Sequence, residues 1–72
     1  PSKNTVIALA LALKLDLKEA AGLLNAAGYT LSDSELPDLV IKFCFERKIY
    51  DIHDVNLALD YFGLKPIAGA VE

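Results

Sequence analysis

Residue types that commonly carry catalysis or metal binding are scarce in this chain. Its 72 residues include no methionine, no tryptophan, one cysteine and one histidine. A lone cysteine cannot form an internal disulfide, so nothing in the sequence points to an oxidising compartment. The longest apolar run covers only residues 6–13, far short of the roughly 20 residues that span a bilayer. We therefore expect a cytoplasmic protein that makes no use of a membrane.

Basic charge is also sparse. Seven Lys and Arg residues against ten Asp and Glu residues give a net charge of −3. Only Arg47 and Lys48 are adjacent, and the other basic residues are spread along the chain. Proteins that grip nucleic acid usually present a basic face, because phosphate contacts supply most of the nonspecific affinity. The composition argues against direct nucleic-acid binding by this segment.

Apolar residues, in contrast, are plentiful. They make up 54% of the chain, above the typical value of about 45–50%. A domain this small buries only about 60% of the surface exposed by its unfolded chain. The surplus excludes disorder and predicts an apolar surface available for self-association or for another protein. The missing methionine means either that an initiator was removed ahead of Pro1 or, as we expect, that this is the C-terminal part of a larger protein.

Start and stop signals predict an all-α, compact four-helix domain made of two helical hairpins. The helices are expected over residues 3–14, 17–27, 35–47 and 52–62, in a single domain of residues 1–66 with a flexible tail at 67–72. Each helix begins at a side chain that can accept hydrogen bonds from free amides, namely Ser2, Asp16, Ser34 and Asp51. Gly28 and Gly63 fit the left-handed position after the second and fourth helices.

The apolar pattern also predicts which faces are buried. The first helix has no polar face over residues 6–13, so we expect the other three helices or a companion chain to surround it on all sides, and Leu13→Asp to unfold the domain. The expected inward residues of the later helices are Leu36, Leu39, Val40, Phe43 and Cys44, then Ile52, Val55, Leu59 and Phe62. Ile41 and Phe45 fall outside the third helix's stripe. Gly22, inside the second helix, suggests a close approach by a neighbour.

The two halves align at an offset of 35 residues, for example Asp16 with Asp51 and Gly28 with Gly63. One interpretation is a repeated helix–turn–helix unit. The other is that any two capped amphipathic helices of similar length would align in this way.

No group of residues has the spacing of an active site. His53 has no second ligand or nucleophile near it in the sequence, and Cys44 lies between two phenylalanines, where burial would make a thiol unreactive. Helix capping accounts for Asp51 and Asp54. Phosphate-binding loops, HExxH, CxxC and calcium-loop motifs are absent. We predict no catalytic, cofactor-binding or metal-binding residues and no enzyme activity.

The stretch Pro1-Ser2-x-x-Thr5, then Ala8-Leu9-Ala10-x-Ala12-Leu13, Leu15-x-Leu17 and residues 19–24, resembles the last two helices of Cro/CI-type (Xre-family) helix-turn-helix domains. The continuation Ala27-Gly28-Tyr29-x-Leu31-Ser32, Asp38-Leu39-x-Ile41, Tyr50-Asp51-Ile52 and Asn56-x-Ala58-Leu59 is similar to a C-terminal extension of bacterial multidomain proteins, some with a macro domain. The resemblance covers about residues 1–65 and implies a supporting half without the recognition helix. It transfers no site residue.

The expected function is a non-catalytic helical module for protein interaction or oligomerisation in a larger bacterial protein. Its partners would be a second copy or other domains of the parent protein. The alternative is the supporting portion of an Xre-like DNA-binding regulator.

Overall fold

Four helices form the domain: α1 (Lys3–Ala12), α2 (Leu17–Ala26), α3 (Leu36–Glu46) and α4 (Ile52–Tyr61). They are seen in a computed structural model that describes residues 1–67. No strand occurs in that range, which confirms the all-α prediction. Each helix ends one or two residues before its predicted end, because residues 13, 27, 47 and 62 are the C-caps.

The helices pack as two hairpins that share one core. α1 packs on α2, α3 packs on α4, and α2 contacts α3 between the hairpins. Every helix contributes buried side chains to a single apolar cluster. Its largest fully buried side chains are Ile7, Leu11, Leu24, Cys44, Phe45 and Val55.

Three of the four predicted N-caps are confirmed. The side chain of Ser2 accepts the first-turn amide of α1, and that of Asp51 accepts the His53 amide at 2.8 Å. At α2, the Asp16 carboxylate accepts the Glu19 amide at 2.7 Å and the Glu19 carboxylate accepts the Asp16 amide at 3.0 Å. This reciprocal pair is a capping box, as its sequence spacing predicts.

The predicted cap of the third helix is wrong. Glu35, not Ser34, is the N-cap of α3, and its side chain caps no amide. Instead, Asp38 in the first turn is buried, accepts the Ser32 amide at 2.8 Å and pairs with the Lys3 ammonium at 2.9 and 3.0 Å. One carboxylate thus joins α1, the connection before α3, and α3 itself.

All four helices end in the same way. The residue two positions after the last helical one has a positive φ: Lys14 (54°), Gly28 (90°), Lys48 (57°) and Gly63 (71°). The next amide then donates to the carbonyl five residues earlier, for example Tyr29 to Leu24 at 2.8 Å and Ile49 to Cys44 at 2.8 Å. This is the Schellman pattern. The sequence indicated it at the two glycines but not at the two lysines.

The two hairpins correspond residue by residue. In the first helix of each hairpin, four buried apolar residues pair at an offset of 34: Val6 with Val40, Ile7 with Ile41, Ala10 with Cys44 and Leu11 with Phe45. In the second helix the offset is 35: Ala20 with Val55 and Leu24 with Leu59. The offset changes because the second hairpin has one more residue in its connection, Tyr50. Ile49 before it corresponds to Leu15, and Asp51 after it corresponds to Asp16. A single offset of 35 therefore aligns the second helices but not the first ones.

Several predicted faces are wrong. On α3, Ile41 and Phe45 enter the core, whereas Leu36, Leu39 and Phe43 are exposed. α3 is apolar over more than half of its circumference, and contact with the rest of the core, rather than the sequence pattern, selects the buried side.

The first and fourth helices are also more exposed than expected. α1 is not surrounded within a single chain, since Leu9 and Leu13 face solvent at its outer side and C-cap. Phe62, expected in the core, is half-exposed. Gly22 is exposed, and a Cβ placed on it would meet no atom within 4 Å, so no helix approaches closely there.

The chain after α4 returns to the core. Ile67, which the predicted domain boundary left in the tail, is buried. The Asn56 side chain holds it by accepting the Ile67 amide at 2.7 Å and donating to the Ile67 carbonyl at 3.1 Å. The rest of the predicted tail, residues 68–72, lies outside the described residues.

Candidate functional site

The single histidine and the single cysteine lie on different helices and differ in burial. His53 is exposed in the first turn of α4, beside the capping Asp51. Cys44 is buried in the core, and burial raises the pKa of its thiol, which disfavours the reactive thiolate. Within residues 1–67, no three His, Cys, Asp or Glu side chains lie close enough to hold a metal ion.

The buried polar side chains have hydrogen-bond or ion-pair partners within the fold. Asp38 is the one buried charged residue of the described range, and Lys3 and Ser32 satisfy its carboxylate. Over the same range, every buried side-chain nitrogen or oxygen has a hydrogen-bond partner.

The feature that the fold does not explain is an apolar groove between α3 and α4. It has a volume of about 400 Å³ and is lined by Leu36, Leu39, Val40, Phe43, Ala58, Tyr61 and Phe62. Tyr61 is 83% exposed, Phe62 50%, Phe43 45% and Leu39 41%. Large apolar side chains usually bury more of their surface, and a continuous exposed patch of them commonly marks a binding surface.

The aromatic side chains of the groove make defined contacts with neighbouring side chains. The rings of Tyr61 and Phe62 meet edge to face, with centroids 5.0 Å apart and planes at 87°. The Arg47 guanidinium lies 4.9 Å from the centroid of the Phe43 ring, a cation–π geometry. These contacts favour one arrangement of the aromatic rings at each side of the groove, and a side chain that is already arranged loses less entropy when a partner binds.

The first hairpin provides an internal comparison for the groove. At the positions that correspond to Leu36, Leu39, Tyr61 and Phe62, it has Ser2, Thr5, Ala26 and Ala27, whereas Phe43 corresponds to the exposed Leu9. The first hairpin therefore builds the same backbone and the same buried face with small or polar residues at these places. Large apolar residues in the groove are not a requirement of the hairpin.

Acidic residues border the groove. Three of them are exposed and lie one helical turn from a lining residue: Glu35 from Leu39, Glu46 from Phe43, and Asp54 from Ala58. Two basic residues have the same spacing, Arg47 from Phe43 and Lys42 from Leu39, but Lys42 is paired with Asp33 and lines another cavity. Lys65 also lines another cavity, and Asp54 contributes to one as well as to this border. The border therefore carries more acidic side chains than unpaired basic ones.

The sequence predicted an apolar surplus but did not locate it. The groove could have been found by aligning the first helices at an offset of 34 instead of 35, since that alignment separates shared core positions from the positions where only the second hairpin is apolar.

No helix within residues 1–67 combines the length and the apolar character that crossing a bilayer requires. Comparison with protein-family models, curated proteins and solved structures finds nothing that matches this chain.

Proposed function

We propose that this chain is a non-catalytic protein-interaction module that acts in the cytoplasm and binds through the α3–α4 groove. The observation that carries the proposal is the set of exposed Leu, Tyr and Phe side chains in the groove, at positions where the first hairpin has Ser, Thr and Ala. Aromatic and leucine side chains at the centre of an interface supply much of its binding energy once water is excluded.

The rest of the molecule supports an interaction role. His53 and Cys44 lie apart on the surface and in the core, and the carboxylates of Asp16, Asp38 and Asp51 are engaged in caps or an ion pair. A scaffold with two corresponding hairpins, of which one carries a large apolar groove, is suited to presenting a rigid surface.

Site-directed photocrosslinking in the cell that makes the protein tests this proposal. A photoreactive phenylalanine analogue replaces Phe43 in the groove, and the same analogue at Gly22 is the control, because Gly22 is exposed on α2 with open space around it. We expect discrete protein adducts from position 43 only. Adducts of twice the chain mass would identify self-association. No adduct at position 43, or the same adducts from both positions, would contradict the proposal.

The alternative is the supporting portion of an Xre-like DNA-binding regulator, and it rests on the resemblance of residues 1–24. A longer protein that contains this chain would then bind duplex DNA with a steep salt dependence, because each phosphate contact releases counterions. A gel-shift titration at two salt concentrations tests this, and a parent protein without DNA binding would contradict it.

A further inference from the structure

The groove offers a partner almost no hydrogen bonds. Its lining side chains are apolar apart from the Tyr61 hydroxyl, and away from the helix ends the backbone groups beneath them bond within α3 and α4. An extended peptide would bring unpaired amides and carbonyls into this surface, and each unpaired group that becomes buried is unfavourable. The backbone groups of a helix are hydrogen-bonded to one another, so a helix can place only its apolar side chains in the groove.

The dimensions of the groove suit a short helical segment. Leu36 and Phe43 mark its α3 side and lie seven residues, or about 10 Å, apart along the helix axis. An amphipathic helix with apolar residues at i, i+3 or i+4, and i+7 presents a stripe of the same length.

The charge at the border of the groove favours a partner helix of opposite charge. Glu35, Glu46 and Asp54 outnumber Arg47 beside the lining residues, so a helix with Lys or Arg on either side of its apolar stripe meets opposite charge. A second copy of this chain would place one acidic border against another, and like charges across an interface are unfavourable.

We infer that the groove binds an amphipathic helix whose apolar stripe is flanked by basic residues, in a partner other than a second copy. The inference rests on the proposed function, because it names the class of partner for the same surface.

Two designed peptides of about 18 residues, long enough to form a helix, test the inference with the whole chain. Both carry the same leucine stripe, and the flanking positions are all Lys in one and all Glu in the other. Fluorescence anisotropy gives the affinities, and amide chemical-shift changes locate the site. We expect the Lys peptide to bind at least about tenfold more tightly at low salt, with a difference that shrinks as salt is added.

Charge reversal on the protein provides the matched comparison. Glu35→Lys combined with Glu46→Lys should bring the two peptide affinities close together or reverse their order. Asp60→Lys is the control, because it makes the same kind of charge change on α4 at a position three or four residues from no lining residue. In this variant the ratio of the two peptide affinities should stay within about twofold of the ratio for the unmodified chain.

The outcomes separate this inference from the proposed function. Equal affinities for the two peptides, shift changes away from α3 and α4, or concentration-dependent dimerisation through the groove would each overturn the basic-helix assignment. If Phe43 crosslinks to other proteins while neither peptide binds, the interaction role stands and the helix assignment fails. If the Lys peptide binds at the groove while position 43 gives no adduct in the cell, the proposed cellular role fails.

Discussion

The correspondence between the hairpins leads to a variant whose effect on stability can be estimated. Leu39→Thr combined with Tyr61→Ala gives two of the groove positions the residues that the first hairpin has there. The first hairpin folds with these residues, so the variant should keep its fold. The same two changes remove one large apolar side chain from each side of the groove, so the variant should bind the Lys-flanked helical peptide more weakly.

The expected cost follows from how much of each side chain is buried. Leu39 is 41% exposed, so a little over half of it leaves water on folding, and full burial of a leucine contributes about 1.5–3 kcal/mol. We assign about 1 kcal/mol to this change and, because Tyr61 is 83% exposed, less than about 0.5 kcal/mol to the other. Helix propensity falls for Leu→Thr and rises for Tyr→Ala by about 0.5 kcal/mol each, so those terms cancel.

Urea unfolding followed by far-ultraviolet circular dichroism measures the loss. We expect about 1–1.5 kcal/mol with an unchanged denaturant slope. Leu24→Ala is the control, because Leu24 is fully buried, and truncation of a buried leucine costs about 2–5 kcal/mol. A loss in the double variant as large as in Leu24→Ala would refute the reasoning, because the groove side chains would then be part of the core.

Three further tests of the fold also use urea unfolding. Gly22→Ala should raise the free energy of unfolding by about 0.5–1 kcal/mol, since an added Cβ meets no atom within 4 Å; a loss would show that the site is crowded. Asp38→Ala should cost about 2–4 kcal/mol, because it leaves a part-buried ammonium and a backbone amide without their acceptor. Asp33→Ala removes an exposed ion pair and should cost less than about 0.5 kcal/mol; similar losses in both would contradict the distinction. Leu11→Asp should abolish folding because Leu11 is buried, whereas Leu13→Asp at the exposed C-cap should change stability by less than about 1 kcal/mol. Unfolding by Leu13→Asp would restore the original expectation of a fully surrounded α1.

The number, type and order of the helices could be read from the sequence because their boundaries are local. Asp16 and Glu19 form a capping box from residues three apart, and Gly28 and Gly63 end helices by a backbone conformation that glycine adopts easily. Such signals need no knowledge of the rest of the fold.

The buried side of α3 could not be read in the same way. Leu36, Leu39 and Phe43 form one apolar stripe and Ile41 and Phe45 extend another, so periodicity alone gives two answers. The choice depends on packing in the shared core, where Ile41 and Phe45 correspond to Ile7 and Leu11 of α1.

The role of Asp38 was beyond the sequence for a related reason. Its partner Lys3 is 35 residues away, and no local pattern pairs them. The candidate site depends on the buried side of α3, because the exposed apolar residues of that helix form one wall of the groove.

Lys14 and Lys48 hold a conformation that costs a residue with a side chain roughly 1–2 kcal/mol. Each also brings a cation to the negative end of a helix, an attraction of about 0.3–1 kcal/mol that salt weakens. Backbone strain and end-of-helix attraction therefore oppose each other at both corners. Glycine at either corner should produce a sturdier protein, with a gain that widens as the ionic strength of the buffer rises.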